Sequence, residues 1–334
     1  MSRFAKVLVG ATLGLLVLGT SPRALADTEP AQSANAAAPA TADRTLSGDE
    51  ACTRCHDENE VRPVLSIYKT RHGVKADART PGCQSCHGAS LAHQKNIGGT
   101  SGHRTPPDVT FGLHGKSDPQ AQVRQCLTCH EGGKRAMWGG SAHEQQNIPC
   151  AGCHRIHVGA DPVLRKGTQP DVCFDCHKTQ RAQTHLISTH PLDAGRMGCT
   201  DCHNPHGSTG PHNLIRNSVN ETCYTCHAEK RGPFLWEHAP VTDECTNCHT
   251  PHGSTITPLL KVRVPYLCQA CHSGDHAAAI NSGANLAAGN ATTVNGALPL
   301  GSISPRAQLV ARACLNCHIL IHGSNSPAGS KFQR

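Results

Sequence analysis

A mostly irregular chain with short α-helices and few strands, drawn out as an elongated array of repeated units, is the fold the sequence predicts. Three observations carry that expectation. The 334 residues are only 37% hydrophobic and 3% aromatic, with five Phe, three Tyr and two Trp, so side chains alone make a poor interior. Twenty cysteines and 24 histidines recur at regular spacing, which a disordered chain has no reason to maintain. That spacing repeats in pairs along the chain, the mark of similar units stacked in a row. Something other than apolar side chains must fill the centre of such a fold.

Taken in order, residues 1–26 read as an export signal. Arg3 and Lys6 give the basic start, Val7 to Leu18 the apolar run, and Ala24-Leu25-Ala26 the small-residue site after which cleavage is expected. The apolar run is well short of the ~20 residues that cross a bilayer. No later segment is apolar enough either, so the mature protein is expected to have no transmembrane segment of its own. Cleavage removes Arg3, Lys6 and Arg23, and the formal charge falls from +7 to +4. That is too little for a nucleic-acid reader. Residues 27–48 form an Ala/Pro-rich leader without hydrophobic period, where no fold is expected.

All twenty cysteines fall into ten C-x-x-C-H units: Cys52 with Cys55, Cys83 with Cys86, Cys126 with Cys129, Cys150 with Cys153, Cys173 with Cys176, Cys199 with Cys202, Cys223 with Cys226, Cys245 with Cys248, Cys268 with Cys271, and Cys314 with Cys317. Disulfides need no histidine after every second cysteine, and zinc sites usually pair two C-x-x-C units or add a remote histidine. Covalent attachment of haem c uses this signature. Two thiols must reach the two vinyl groups on one porphyrin edge, and the next residue must turn its imidazole onto the iron. The proximal ligands are then His56, His87, His130, His154, His177, His203, His227, His249, His272 and His318. The chain is a multihaem cytochrome c by this reading, with ten stacked haems as its core.

Fourteen histidines remain, and ten of them repeat when the attachment units are taken two at a time. The two-haem repeats run at about 49–93, 126–157, 173–206, 223–252 and 268–322. Each carries two spare imidazoles: His72 and His93, His143 and His157, His190 and His206, His238 and His252, His276 and His322. These are the expected distal ligands of ten bis-His, low-spin haems. A histidine three residues after a proximal one cannot swing round to the opposite face of the same porphyrin. His157, His206 and His252 are therefore assigned to a neighbouring haem, taken as the first haem of their own pair. His103, His114, His185 and His212 fall outside the repeat and read as ordinary surface or hydrogen-bonded residues. Methionine offers few axial alternatives, since only Met137 and Met197 remain after the signal is removed.

Irons with both axial positions filled carry electrons and offer no site for substrate. No C-x-x-C-K or other altered unit marks an open iron, so a catalytic role, such as a multihaem oxyanion reductase, is disfavoured. Each ferric haem adds two propionates against one positive core, so ten shift the charge by about −10. Lys178 and Lys230-Arg231 would then be local basic features on an acidic holoprotein.

The runs AGCHRIHVGADPVL from Ala151, CHNPHGS from Cys202, CYTCHAEKRGPFLWEHAP from Cys223, and the final CLNCH with IHGSN resemble the MtrA/DmsE/PioA family of decahaem cytochromes, most of all its MtrA type. The likeness covers nearly all of residues 48–334, with all ten attachment units in order. The family's ten distal positions map onto the same ten histidines that the repeat selects. The resemblance implies a haem wire held inside an outer-membrane β-barrel porin, linking periplasmic electron-carrier cytochromes to a cell-surface multihaem cytochrome. It implies a periplasmic protein associated with the outer membrane, acting in extracellular electron transfer. The long Ala/Gly-rich stretch from Ala277 to Ala311 departs from the repeat. A freely soluble periplasmic electron shuttle or store is the alternative.

Overall fold

The computed structural model describes residues 48–61, 63–74, 76–272, 314–327 and 329–333. All belong to one unit spanning residues 44–334. The export signal, residues 27–47 of the leader, His276 and the Ala277–Ala311 stretch lie outside the described residues.

Each attachment unit closes a single helical turn. The histidine N–H donates to the carbonyl of the first cysteine four residues back, at 3.1 Å for His56 and Cys52, 3.0 Å for His130 and Cys126, and 2.9 Å for His154 and Cys150. The same bond recurs at Cys173, Cys199, Cys223, Cys245, Cys268 and Cys314. Residues i, i+3 and i+4 share one face of such a turn. Both thiols and the imidazole therefore leave the backbone on one side, which is what two intervening residues achieve.

The described residues hold ten short α-helices: α1 (Glu50–Thr53), α2 (Cys83–His87), α3 (Leu91–Lys95), α4 (Pro119–Leu127), α5 (Ala142–Gln145), α6 (Gln169–Phe174), α7 (Lys178–Thr184), α8 (Val219–Cys223), α9 (Ala239–Asp243) and α10 (Tyr266–Gln269). None approaches the ~12 residues at which a helix begins to hold in isolation, so their ends are tied locally. Asp118 accepts from Ala121 N–H at 3.0 Å, Ser141 from Glu144 N–H at 3.2 Å and Ser218 from Glu221 N–H at 3.1 Å. These caps set α4 to deliver Cys126, α5 to deliver His143 and α8 to deliver Cys223. Strand structure among the described residues is limited to isolated bridges, such as Ser188 with Ser254 and Trp236 with Ser324.

Apart from Pro149 and Pro170, the buried apolar side chains among the described residues are Val123, Trp138, Phe174 and Leu260, fewer than the buried polar ones. Several of those polar groups act as clasps within a pair of attachment units. Asp49, 2% exposed, accepts from Cys83 N–H at 2.7 Å and from the Tyr68 hydroxyl at 2.8 Å. Gln169 Oε1 accepts from Thr200 N–H at 3.0 Å, and Asn220 Oδ1 from Cys245 N–H at 2.7 Å. In each case a side chain one turn ahead of the pair's first cysteine grips the start of its second unit. Gln122 departs from the rule and holds the 112–117 loop, through Gly112 N–H at 2.9 Å and the Ser117 carbonyl at 2.9 Å.

Contacts between successive pairs rest on glycine. Gly207, Gly253 and Gly323 follow His206, His252 and His322 at φ +101°, +151° and +130°. A Cβ there would collide with the Met137 carbonyl, the Gln183 carbonyl and the Phe234 ring, respectively, each in the preceding pair. The H-G-S run thus lets one loop lie against the backbone of the unit before it. Gly253→Ala is expected to lower stability by about 1–3 kcal/mol, read as a fall in thermal midpoint. Gly139→Ala, whose Cβ meets nothing within 4 Å, should leave it unchanged. Asn220→Ala strands the Cys245 N–H and should cost about 1–3 kcal/mol in denaturant unfolding.

Candidate haem-attachment sites

Two imidazoles facing each other across one metal, each at an ordinary bond length of about 2 Å, set their ring centroids about 6 Å apart. The described residues contain nine such pairs. They are His56 with His93 at 6.0 Å, His87 with His157 at 6.0 Å, His130 with His72 at 5.9 Å, His154 with His206 at 6.2 Å, and His177 with His143 at 6.2 Å. His203 faces His252 at 6.1 Å, His227 faces His190 at 6.4 Å, His249 faces His322 at 6.2 Å, and His272 faces His238 at 6.1 Å. Every pair joins the histidine of an attachment unit to one of the ten repeat histidines. His318 belongs to the tenth unit, and His276, its expected counterpart, lies outside the described residues.

The partners correct one sequence assignment. His157, His206 and His252 do not face the first attachment histidine of their own pair. Each faces the second attachment histidine of the preceding pair, and His322 follows the same rule. The glycine contacts explain it: Gly207 seats its loop on Met137, and the adjacent His206 is carried to His154. The other spare imidazoles run forward. His72, His143, His190 and His238 each face the first attachment histidine of the next pair. His93 alone stays within its pair, at the start of the series where no earlier pair exists.

Ring orientation is set by hydrogen bonds at Nδ1, which leaves Nε2 to face the partner ring, the arrangement of a metal-ligating histidine. His143 Nδ1 meets the Pro205 carbonyl at 2.8 Å, His190 that of Pro251 at 2.8 Å and His238 that of Ile321 at 3.0 Å. Each acceptor is the residue just before the backward-reaching histidine of the next pair, so forward and backward ligands are positioned together. His87, His93, His203, His249 and His318 bond to the carbonyls of Val109, Thr105, His212, Pro258 and Lys331. His56 and His154 bond instead to carboxylates, Glu60 at 2.8 Å and Asp161 at 2.7 Å. Burial pushes His157, His206, His252 and His322 below the usual histidine range, which favours the neutral ring that ligation needs.

The cysteines define a sequence of junctions. First cysteines meet within each pair: Cys52 with Cys83, Cys126 with Cys150, Cys173 with Cys199, Cys223 with Cys245 and Cys268 with Cys314. At the three central junctions the facing thiol pulls Cys150, Cys199 and Cys245 down to about 7. Second cysteines approach between pairs, near enough to act on each other's charge: Cys86 and Cys129, Cys153 and Cys176, Cys202 and Cys226, Cys248 and Cys271. The ten attachment units therefore neighbour one another in chain order.

These residues fit haem c. A cavity of about 2070 Å³, against about 300–1,000 Å³ for an ordinary ligand pocket, is lined by cysteines of all six units from Cys173 to Cys317. Trp138 Nε1 and His206 Nδ1 are buried hydrogen-bonding atoms without a partner, and a group bearing carboxylates is suited to satisfy them. Of the histidines outside the repeat, His212 contributes its carbonyl to His203, His185 stands 3.7 Å from Asp193, His103 pairs with Thr100 through its backbone, and His114 is exposed. Sequence reasoning missed the Nδ1 acceptors. Backbone carbonyls leave no residue-type signal, and Asp161 lies seven residues from His154 with nothing in the motif to join them.

Comparison with known proteins finds relatives that carry the same attachment motif. The profile of a doubled CXXCH motif matches residues 190–232 and 238–277, and that of a cytochrome c-type protein NrfB-like family matches residues 83–168. The chain is 44% identical over 292 residues to multiheme cytochrome MtrA of Shewanella baltica (strain OS185), covering 86% of this chain and 81% of that protein. It is 26% identical over 150 residues to cytochrome c-type protein NrfB of Haemophilus influenzae, covering 39% of this chain and 65% of the relative. Over 76 residues it is 32% identical to a cytochrome c3 of Maridesulfovibrio salexigens, 20% of this chain and 65% of that one.

His206→Ala is expected to convert one low-spin haem to high spin in the ferric electron paramagnetic resonance spectrum. The new signal should vanish when Cys150 and Cys153 are also replaced by alanine, and persist when Cys173 and Cys176 are.

Proposed function

Because the chain belongs to the family of multihaem c-type cytochromes that includes MtrA and carries electrons, we propose that it is a ten-haem wire acting across the outer membrane inside a β-barrel porin. The observation that carries this reading is the unbroken run of cysteine junctions in chain order, accompanied by nine facing imidazole pairs. Haem c, when bound, supplies an iron that gains and loses one electron. The chain's part is to tether, ligate and align. Paired thiols would tether each haem covalently, and the facing imidazoles would hold its iron, with His318 and His276 as the pair for the tenth. Nδ1 bonds hold rings such as His143, His154, His190 and His203 in one orientation, which limits how far these ligands would rearrange as charge passes. With two imidazoles to hold each iron, no place for substrate would remain, and the reading is of a carrier without an enzymatic step.

Residues 1–26 direct the chain to the periplasm. None of its described helices is long and apolar enough to cross a membrane. A closed barrel around the chain would keep its polar backbone out of lipid. Periplasmic electron-carrier cytochromes and a cell-surface multihaem cytochrome are the partners at the two ends.

The test is gentle detergent extraction of native outer membranes, affinity capture of the chain and identification of what remains bound. A stoichiometric β-barrel protein, with ten covalent haems per chain by intact mass, is the expected result. Recovery of the chain alone from the periplasmic fraction would replace the conduit with a soluble shuttle.

A further inference from the structure

Among the ligand histidines with a hydrogen bond at Nδ1, His56 and His154 are set apart by a carboxylate acceptor. Glu229 lies 3.7 Å from His227 Nδ1, too far for a hydrogen bond. The two carboxylates differ in setting. The Glu60 side chain is 31% exposed and the Asp161 side chain only 11%. Asp161 is also held in place: its Oδ1 accepts from Arg155 N–H and Val163 N–H, both at 3.3 Å, and it caps the turn Pro162–Leu164. Among the described residues no lysine or arginine pairs with it, so His154 is its one ion-pair contact. The arrangement puts a shielded side-chain anion behind His154 where His87, His203 and His249 have a neutral backbone carbonyl.

We propose that Asp161 is a positioning residue that makes His154 a stronger electron donor than the carbonyl-bonded ligands, and thereby holds the haem attached at Cys150 and Cys153 below its neighbours in reduction potential. An anion that accepts the Nδ1 proton raises the basicity of the ring. It also stabilises the more positive, oxidised iron over the reduced one, and a half-buried charge is poorly screened by salt. The proposal rests on the reading that His154 ligates this iron. By the order of cysteine junctions the site is the fourth of ten, an interior step that an electron must climb onto from either side. Glu60, more exposed, exerts the same pull more weakly on the first haem.

The test is a spectroelectrochemical titration of the full-length holoprotein carrying Asp161→Asn, which keeps an acceptor oxygen and removes the charge. One tenth of the haem absorbance change should move to higher potential by at least about tenfold in the oxidised-to-reduced ratio, or 59 mV for one electron. Haem content and the low-spin spectrum should not change, and Asp161→Glu, which keeps the charge, should leave the potential close to that of the unaltered protein. A purely structural role would not move one potential alone. A titration superimposable on that of the unaltered protein overturns the proposal. If Asp161→Asn loses haem, Glu60→Gln takes its place, with a smaller upward shift expected at the first haem; no shift there overturns it too. Failure of the underlying ligation would show differently: His206→Ala would then produce no high-spin signal linked to Cys150 and Cys153.

Discussion

The facing of two imidazoles across about 6 Å is the constraint on which the remainder of this structure depends. An attachment unit brings both thiols and one imidazole to a porphyrin from a single helical turn, but it cannot supply the second imidazole. That ring must come from elsewhere in the chain, and in eight of the nine described pairs it comes from an adjacent two-unit repeat. Each interior repeat lends one ring forward and one backward. No repeat can then complete its own sites alone, and a set of small, core-poor modules becomes one continuous chain.

This exchange explains how so little apolar packing suffices. Helices as short as α5 or α8 do not hold in water unaided, and Val123, Trp138, Phe174 and Leu260 are too few to collapse around. Order comes from polar clasps placed at joints. Asp49, Gln169 and Asn220 tie the two halves of a repeat, while Pro205, Pro251 and Ile321 tie one repeat to the next through the carbonyls they offer to His143, His190 and His238. The two kinds of joint alternate along the chain, as do the first-cysteine and second-cysteine junctions.

Much of the site was legible in the sequence. C-x-x-C-H is a local signature, read without any knowledge of packing, and the repeat singled out the nine spare histidines that face attachment histidines in the described residues. The irregular fold with few strands followed from the same composition. Partner choice was not legible, because it is settled at long range. His143 finds its carbonyl 62 residues away and His238 finds its own 83 residues away. The backward reach of His206 depends on Gly207 seating against Met137, a contact that the three-residue spacing from His203 does not imply. The H-G-S run was visible, but its purpose appears only once the neighbouring backbone is in place.

Alternating joints also bear on how such a wire would tolerate damage. Within a repeat, the clasp and the paired first cysteines act independently of the borrowed rings, so loss of a backward ligand leaves that junction standing. Between repeats, the ligand, its glycine and the carbonyl before it belong to one short loop. His252, Gly253 and the Pro251 carbonyl serve two sites at once, one through His203 and one through His190. Disturbing that loop would loosen the second haem site of one repeat and the first of the next, with a single backbone shift. The connections between repeats are therefore the points at which folding and conduction depend on the same few residues.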